Sequence, residues 1–157
     1  MIESESFRLA TQELKRADHS IAVSLKYTRT VDVIKSIIQR LINSISLGLD
    51  ALLEKEKQEK KITEVPKLPR LKIEKSRKLY PDDPLIQNLC DFFLLLRKID
   101  KADFKRANEF RRNVTMLAFL DDGSTIEVTI DIITDYYERT RECLTYIAKV
   151  ISGDVDE

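Results

Sequence analysis

The sequence predicts an all-α fold, an antiparallel up-down bundle of four or five helices in one domain spanning residues 1–157. Three observations carry the prediction. With three glycines and four prolines in 157 residues the chain has few turns, whereas a sandwich, barrel or propeller needs many. Apolar residues recur at three- and four-residue steps over long stretches, the period of one helix face. The length supports a single hydrophobic core of ordinary size.

The first helix spans residues 4–26. Phe7, Ala10, Leu14, Ala17, Ile21 and Leu25 form its apolar stripe, with Glu5, Glu13, Lys15, Arg16 and Asp18 on the other faces. Thr28 or Thr30 caps the second helix with a side-chain oxygen, and Asp32 suits its positive end. Ile34, Ile37, Ile38, Leu41, Ile42, Ile45, Leu49, Leu52 and Leu53 make its stripe, which gives way to a Glu- and Lys-rich extension over residues 54–61. Two such helices joined by a short polar turn pack as an antiparallel hairpin.

Residues 62–83 read as a basic linker marked by Pro66, Pro69, Pro81 and, at its exit, Pro84. Each proline lacks an N–H and restricts the residue before it, so the run from Pro66 to Ile73 is not expected to be a regular helix. A short helix over residues 73–79 is compatible with the pattern. The third long helix begins at Pro84 with Asp83 as cap and runs to about Lys98. Leu85, Ile86, Leu89, Cys90, Phe93, Leu94 and Leu96 make it central. Asp103 then caps a fourth helix carrying Phe104, Ala107, Phe110, Val114 and Leu117, ending near Ala118. Residues 114–129 also admit a short β-hairpin around Asp121-Asp122-Gly123-Ser124, because Asp-Gly is a strong turn signal. The helix is the preferred reading, with at most a short strand pair after it. Thr129 caps the last helix, Ile132, Ile133, Tyr136, Tyr137, Thr140, Leu144, Ile147, Ala148 and Ile151 form its apolar face, and Gly153 stops it.

Several function classes are excluded. No run approaches the roughly 18 apolar residues of a membrane-spanning helix. The acidic start, Met1-Ile2-Glu3-Ser4-Glu5, has no apolar segment after it and is not a signal peptide, which points to a cytoplasmic protein. A single histidine, His19, and two isolated cysteines, Cys90 and Cys143, offer no metal-ligand spacing and no disulfide framework. Scattered glycines exclude a phosphate-cradling loop. No cofactor and no catalytic residue is expected.

Charge is the remaining signal. Lys+Arg and Asp+Glu balance at 27 each, but residues 1–80 hold 17 cations and 11 acids and residues 81–157 hold 10 and 16. The halves, +6 and −6, should attract within the domain or across a dimer. Two basic constellations are candidate nucleic-acid contacts by counterion release. One is the linker, with Lys67, Arg70, Lys72 and Lys75 among eight cations against three acids between Gln58 and Tyr80. The other is Arg111-Arg112-Asn113 near Arg106, whose arginines would bind phosphate or pair with Glu138 and Glu142. Tyr136, Tyr137 and Tyr146 are candidates for an association face, since aromatics are enriched at interfaces; core packing is the other reading.

The order of these elements resembles the HEPN superfamily of helical bundles over nearly the whole chain. The resemblance lies in the two-helix hairpin with its "Val-Asp-Val-Ile" start and "Leu-Asp-Ala-Leu-Leu" end, the "Phe-Arg-Arg-Asn" segment, and the final Thr-capped helix with "Tyr-Tyr-Glu-Arg". It implies a homodimer, and for many members a ribonuclease partnered with a small nucleotidyltransferase-type protein. The family's motif pairs an arginine and a polar residue with a histidine four to six positions on. Arg111-Arg112-Asn113 would supply the arginine and the polar residue, but Met116, Leu117, Ala118 and Phe119 stand where the histidine belongs. The expectation is therefore a non-enzymatic, dimeric interaction or scaffold module. The alternative is an RNA-binding or RNA-cleaving protein using the Arg-Arg-Asn cluster.

Overall fold

The computed structural model describes residues 4–153. Met1, Ile2 and Glu3 of the acidic start, and Asp154, Asp156 and Glu157 of the acidic half, lie outside the described residues. The chain is mostly helical, as expected, and carries a small antiparallel sheet that replaces the expected fourth helix.

Helix α1 (Glu5–His19) starts at Ser4, whose hydroxyl accepts from the Phe7 N–H at 3.1 Å. It continues through a π-helical turn (Ser20–Ser24) into a last turn, α2 (Leu25–Tyr27). The wider turn shifts the phase of the helix, and Leu25 ends buried while Val23 does not. Helix α3 (Val31–Gln58) is capped by Thr30, which accepts from the Val33 N–H. At 28 residues it is about 42 Å long, and it is the axis of the molecule. Ile34, Ile37, Ile38, Leu41, Ile45, Leu49, Leu52 and Leu53 are fully buried along it. Helices α1 and α6 pack most extensively on it, with α5 and α4 around the remainder.

The linker is more ordered than its prolines suggest. Helix α4 (Pro69–Leu79) begins at Pro69 itself, not at Ile73. A proline in the first helical turn sacrifices nothing, because the N–H it lacks would have no intrahelical partner. Ile73 and Ser76 face inward, and Lys72 pins α4 to α3 through Asp50 and Ser46. Helix α5 (Pro84–Lys101) has Asp83 as cap, accepting from the N–H groups of Leu85 and Ile86.

The sheet then forms from β1 (Asp103–Ala107), β2 (Thr115–Phe119) and β3 (Thr125–Val128), in the order β1-β2-β3. The register sets Phe104 opposite Ala118 and Ala118 opposite Ile126, with Arg106, Met116 and Val128 in the next row of the same face. Met116, Ala118 and Val128 are fully buried there. The segment 103–119 thus satisfies a two-residue period as well as the helical one. A lone hairpin is marginal, but a third strand and a core face make it stable. The Asp-Gly turn behaves as expected: Asp122 accepts from the Ser124 N–H at 2.8 Å and Gly123 takes φ +87°.

Helix α6 (Ile130–Ser152) is capped by Thr129, which accepts from the Ile132 N–H at 3.1 Å, and ends at Gly153 with φ +83°. It lies close on α3 because Gly48 has no side chain. A Cβ there would stand 2.8 Å from Leu144 Cδ2 and 3.1 Å from Ile147 Cδ1. The charge asymmetry is partly spent inside the chain, in Lys35–Asp100 and Arg77–Asp91, whereas Arg106–Asp32 joins the halves in the opposite sense. No helix among the described residues is long and apolar enough to cross a membrane.

Candidate nucleic-acid interface

The residues between β1 and β2 form a short, braced loop. It has no glycine, yet Asn108 and Phe110 both take positive φ, +56° and +68°. Asparagine tolerates this conformation, whereas an aromatic residue rarely adopts it. The loop is closed by the Arg111 N–H donating to the Asn108 carbonyl and the Val114 N–H to that of Arg111. The Thr115 hydroxyl donates to the Asn113 carbonyl at 2.8 Å.

Two contacts fasten this loop to the segment joining α2 to α3. The Phe110 N–H donates to the Arg29 carbonyl at 2.6 Å. The Glu109 carboxylate accepts from the Val31 N–H at 2.9 Å, so it serves the positive start of α3 from a distant part of the sequence. Glu109 also faces Arg106 at 3.6 Å. Arg106 donates to Asp32 at 2.9 Å and lies over the Phe104 ring, 5.4 Å from its centroid. The hydrogen bond to Asp32 is the main cause that raises Arg106 above the ordinary arginine range. The carboxylates nearest the loop are thus engaged with Arg106 and a backbone N–H.

That leaves two short runs side by side, Lys26-Tyr27-Thr28-Arg29 and Phe110-Arg111-Arg112-Asn113. Tyr27 is 79% exposed and Phe110 75%. Lys26, Arg111, Arg112 and Asn113 are exposed, and the arginine side chains at 111 and 112 make no ion pair among the described residues. The Nε of Arg29 is buried without a hydrogen-bond partner. Cations interleaved with exposed aromatic rings are the combination that holds phosphates and stacks bases.

The two expected basic constellations are not brought together. Lys72 holds α4 at Ser46 and Asp50 of α3, whereas Glu109 meets α3 at Val31. These points are about 25 Å apart along the helix. Lys72 is 7% exposed, with Nζ 2.8 Å from Asp50 and 3.0 Å from Ser46, and so does not face solvent as a phosphate contact must. Lys67 and Arg70 are exposed and Lys75 half-buried, with Arg70 4.0 Å from Glu74. The arginines of the loop do not pair with α6, where Glu138 is taken by Arg141.

The tyrosines are largely committed within the chain. Tyr136 is buried, its ring edge-on to Phe92 at 5.7 Å. The Tyr146 hydroxyl donates to the Asp83 carboxylate at 2.5 Å, and Tyr137 is half-buried against the core. Among the described residues no group of three His, Cys, Asp or Glu could hold a metal ion. Burial pushes the thiols of Cys90 and Cys143 up to about 11 and about 12, well away from nucleophilic thiolates at neutral pH.

The sequence nominates Arg111, Arg112 and Asn113, which this candidate surface includes; it did not single out Tyr27, and it put Phe110 on the apolar face of a helix, where the structure has an exposed loop residue. Tyr27 left a trace: it falls off the Leu14-Ala17-Ile21-Leu25 stripe and stands between Lys26 and Arg29. No protein-family model matches this sequence, and no curated protein or solved structure matches it either.

Proposed function

We propose that this chain is a nucleic-acid-binding module, with the loop between β1 and β2 as its contact surface. The observation that carries the reading is the exposed Phe110-Arg111-Arg112 run, held against Arg29, with its two guanidinium groups unpaired and the adjacent Glu109 already engaged. Arg111 and Arg112 are therefore free to neutralise phosphates. Exposed Lys26, beside Tyr27 and three residues before Arg29, is a third candidate. The reading takes up the RNA alternative raised by the HEPN resemblance, and it asks nothing of a second copy of the chain or of the histidine missing from that family's motif.

Three phosphate contacts give a salt slope of about −2 on a single strand, so a fourfold rise in salt weakens binding about twentyfold. The test is fluorescence anisotropy of a labelled generic RNA at low and higher salt. Binding at low salt that fades by that factor supports the module. No binding at low salt, or binding indifferent to salt, rules it out.

A further inference from the structure

Phe110 has no structural employment for its ring. Its backbone N–H holds the loop to Arg29, but its side chain is 75% exposed and its φ of +68° is one that a bulky residue rarely takes. Tyr27 is the same in kind: the first helix ends on it, off the apolar stripe, with the ring 79% exposed. Tyr27 is two residues from Arg29, at most about 7 Å of chain, and Arg29 is bonded to Phe110. The two most exposed large apolar rings among the described residues therefore stand at one end of the molecule, each beside cations: Lys26 for Tyr27, Arg111 and Arg112 for Phe110.

We infer, resting on the nucleic-acid reading above, that the ligand is a single strand whose unpaired bases stack on Phe110 and Tyr27 while its phosphates lie against Arg111, Arg112 and Lys26. Base faces inside a duplex are covered by their neighbours, so a duplex engages the arginines and leaves both rings idle. A single strand offers faces to both. The braced loop presents the Phe110 ring without a folding step on binding, which lowers the ordering cost of the contact. The contacts read a π-face and a charge, so tolerance of base sequence follows.

The test is anisotropy at one low salt concentration, with single-stranded RNA and single-stranded DNA of about ten nucleotides, within the usual site size, and a duplex of the same sequence. The proteins are the wild type, Tyr27→Ala, Phe110→Ala, Phe110→Gly and the double variant Arg111→Ala/Arg112→Ala. Phe110→Gly removes the ring while relaxing the left-handed backbone, so it reports on stacking even if the alanine variant disturbs the loop.

The expected result is tighter binding of single strands than of duplex. Each aromatic substitution weakens single-strand binding by about 5- to 150-fold and leaves duplex binding unchanged, whichever sugar binds tighter. The double arginine variant weakens both. Equal affinity for single strand and duplex, or single-strand binding untouched by all three aromatic variants, overturns the inference while the arginine effect still upholds the broader reading. An absence of any binding removes both.

Discussion

Replacing Lys72 by methionine separates a structural cation from a ligand-binding one. Lys72 is one of four linker cations that sequence alone nominates for phosphate contact. In the folded chain its ammonium is 2.8 Å from Asp50 and 3.0 Å from the Ser46 hydroxyl, and its side chain is 9% exposed. Methionine keeps the apolar stem and removes the charge. Breaking a buried ion pair by deleting one partner costs about 3–5 kcal/mol. The Asp50 side chain retains 22% exposure, so water recovers part of that, and about 2–3 kcal/mol remains. For a domain of this size that lowers Tm by about 4–12 °C. Urea denaturation read by circular dichroism measures the loss, and RNA anisotropy measures the ligand side. The structure requires a destabilised protein whose salt dependence of RNA binding is that of the wild type. A variant of wild-type stability whose salt slope drops by about 0.7 would refute the reasoning, because Lys72 would then be facing phosphate.

Three other outcomes follow from the same contacts. Gly48→Val puts atoms where Leu144 and Ile147 already stand and should lower stability by about 1–3 kcal/mol, seen as a reduced urea midpoint. Glu109→Ala removes the acceptor for the Val31 N–H and one partner of Arg106, which should cost about 1 kcal/mol, as loss of a helix cap does, and speed hydrogen exchange at Val31 and Phe110. Stability should also fall at alkaline pH. Cys90, Cys143 and Tyr146 are held protonated in the fold, with values up to about 11, about 12 and about 12 against ordinary values of 9.0, 9.0 and 10.0. Above those ordinary values the unfolded chain loses protons that the folded chain keeps, so stability is full below pH 9 and declines as pH rises toward 11–12. Urea midpoints across that range check it, and a Cys90→Ala/Cys143→Ala variant should delay the onset toward the tyrosine range.

The helices were legible because their signals are local and redundant. Asp83 with Pro84, Thr30 and Thr129 each combine a cap with the start of a 3.6-residue stripe; Asp83 and Thr129 stand where the pattern placed them, and Thr30 is one of the two threonines it offered. Residues 103–119 carried two compatible periods. Phe104, Ala107, Phe110, Val114 and Leu117 satisfy a helix, while Phe104, Met116 and Ala118 satisfy a sheet, and only pairing with β3 decides between them. That decision is tertiary, so the fourth helix was the wrong choice for a physical reason. The same ambiguity hid half of the candidate site. Arg111 and Arg112 stand out by charge and Asn113 by standing next to them, but Phe110 looked like core and Tyr27 fell just beyond the helix expected over residues 4–26. Their proximity depends on two long-range hydrogen bonds, from the Phe110 N–H to the Arg29 carbonyl and from the Val31 N–H to the Glu109 carboxylate, across 81 and 78 positions of the chain. Lys72 shows the converse: nothing in its neighbours distinguishes a cation that folds inward onto Asp50 from the exposed Lys67 and Arg70 beside it.

In the proposed function Arg111 and Arg112 are the main phosphate contacts of this chain. The direct measurement is the slope of log affinity against log salt for a single-stranded RNA, wild type against Arg111→Ala/Arg112→Ala, with Arg106→Ala as the control. The slope should become shallower by about 1.4 in the double variant, two contacts at about 0.7 each. It should stay at the wild-type value in Arg106→Ala, whose guanidinium is already paired with Asp32 and Glu109. A slope unchanged by the double substitution would contradict the account.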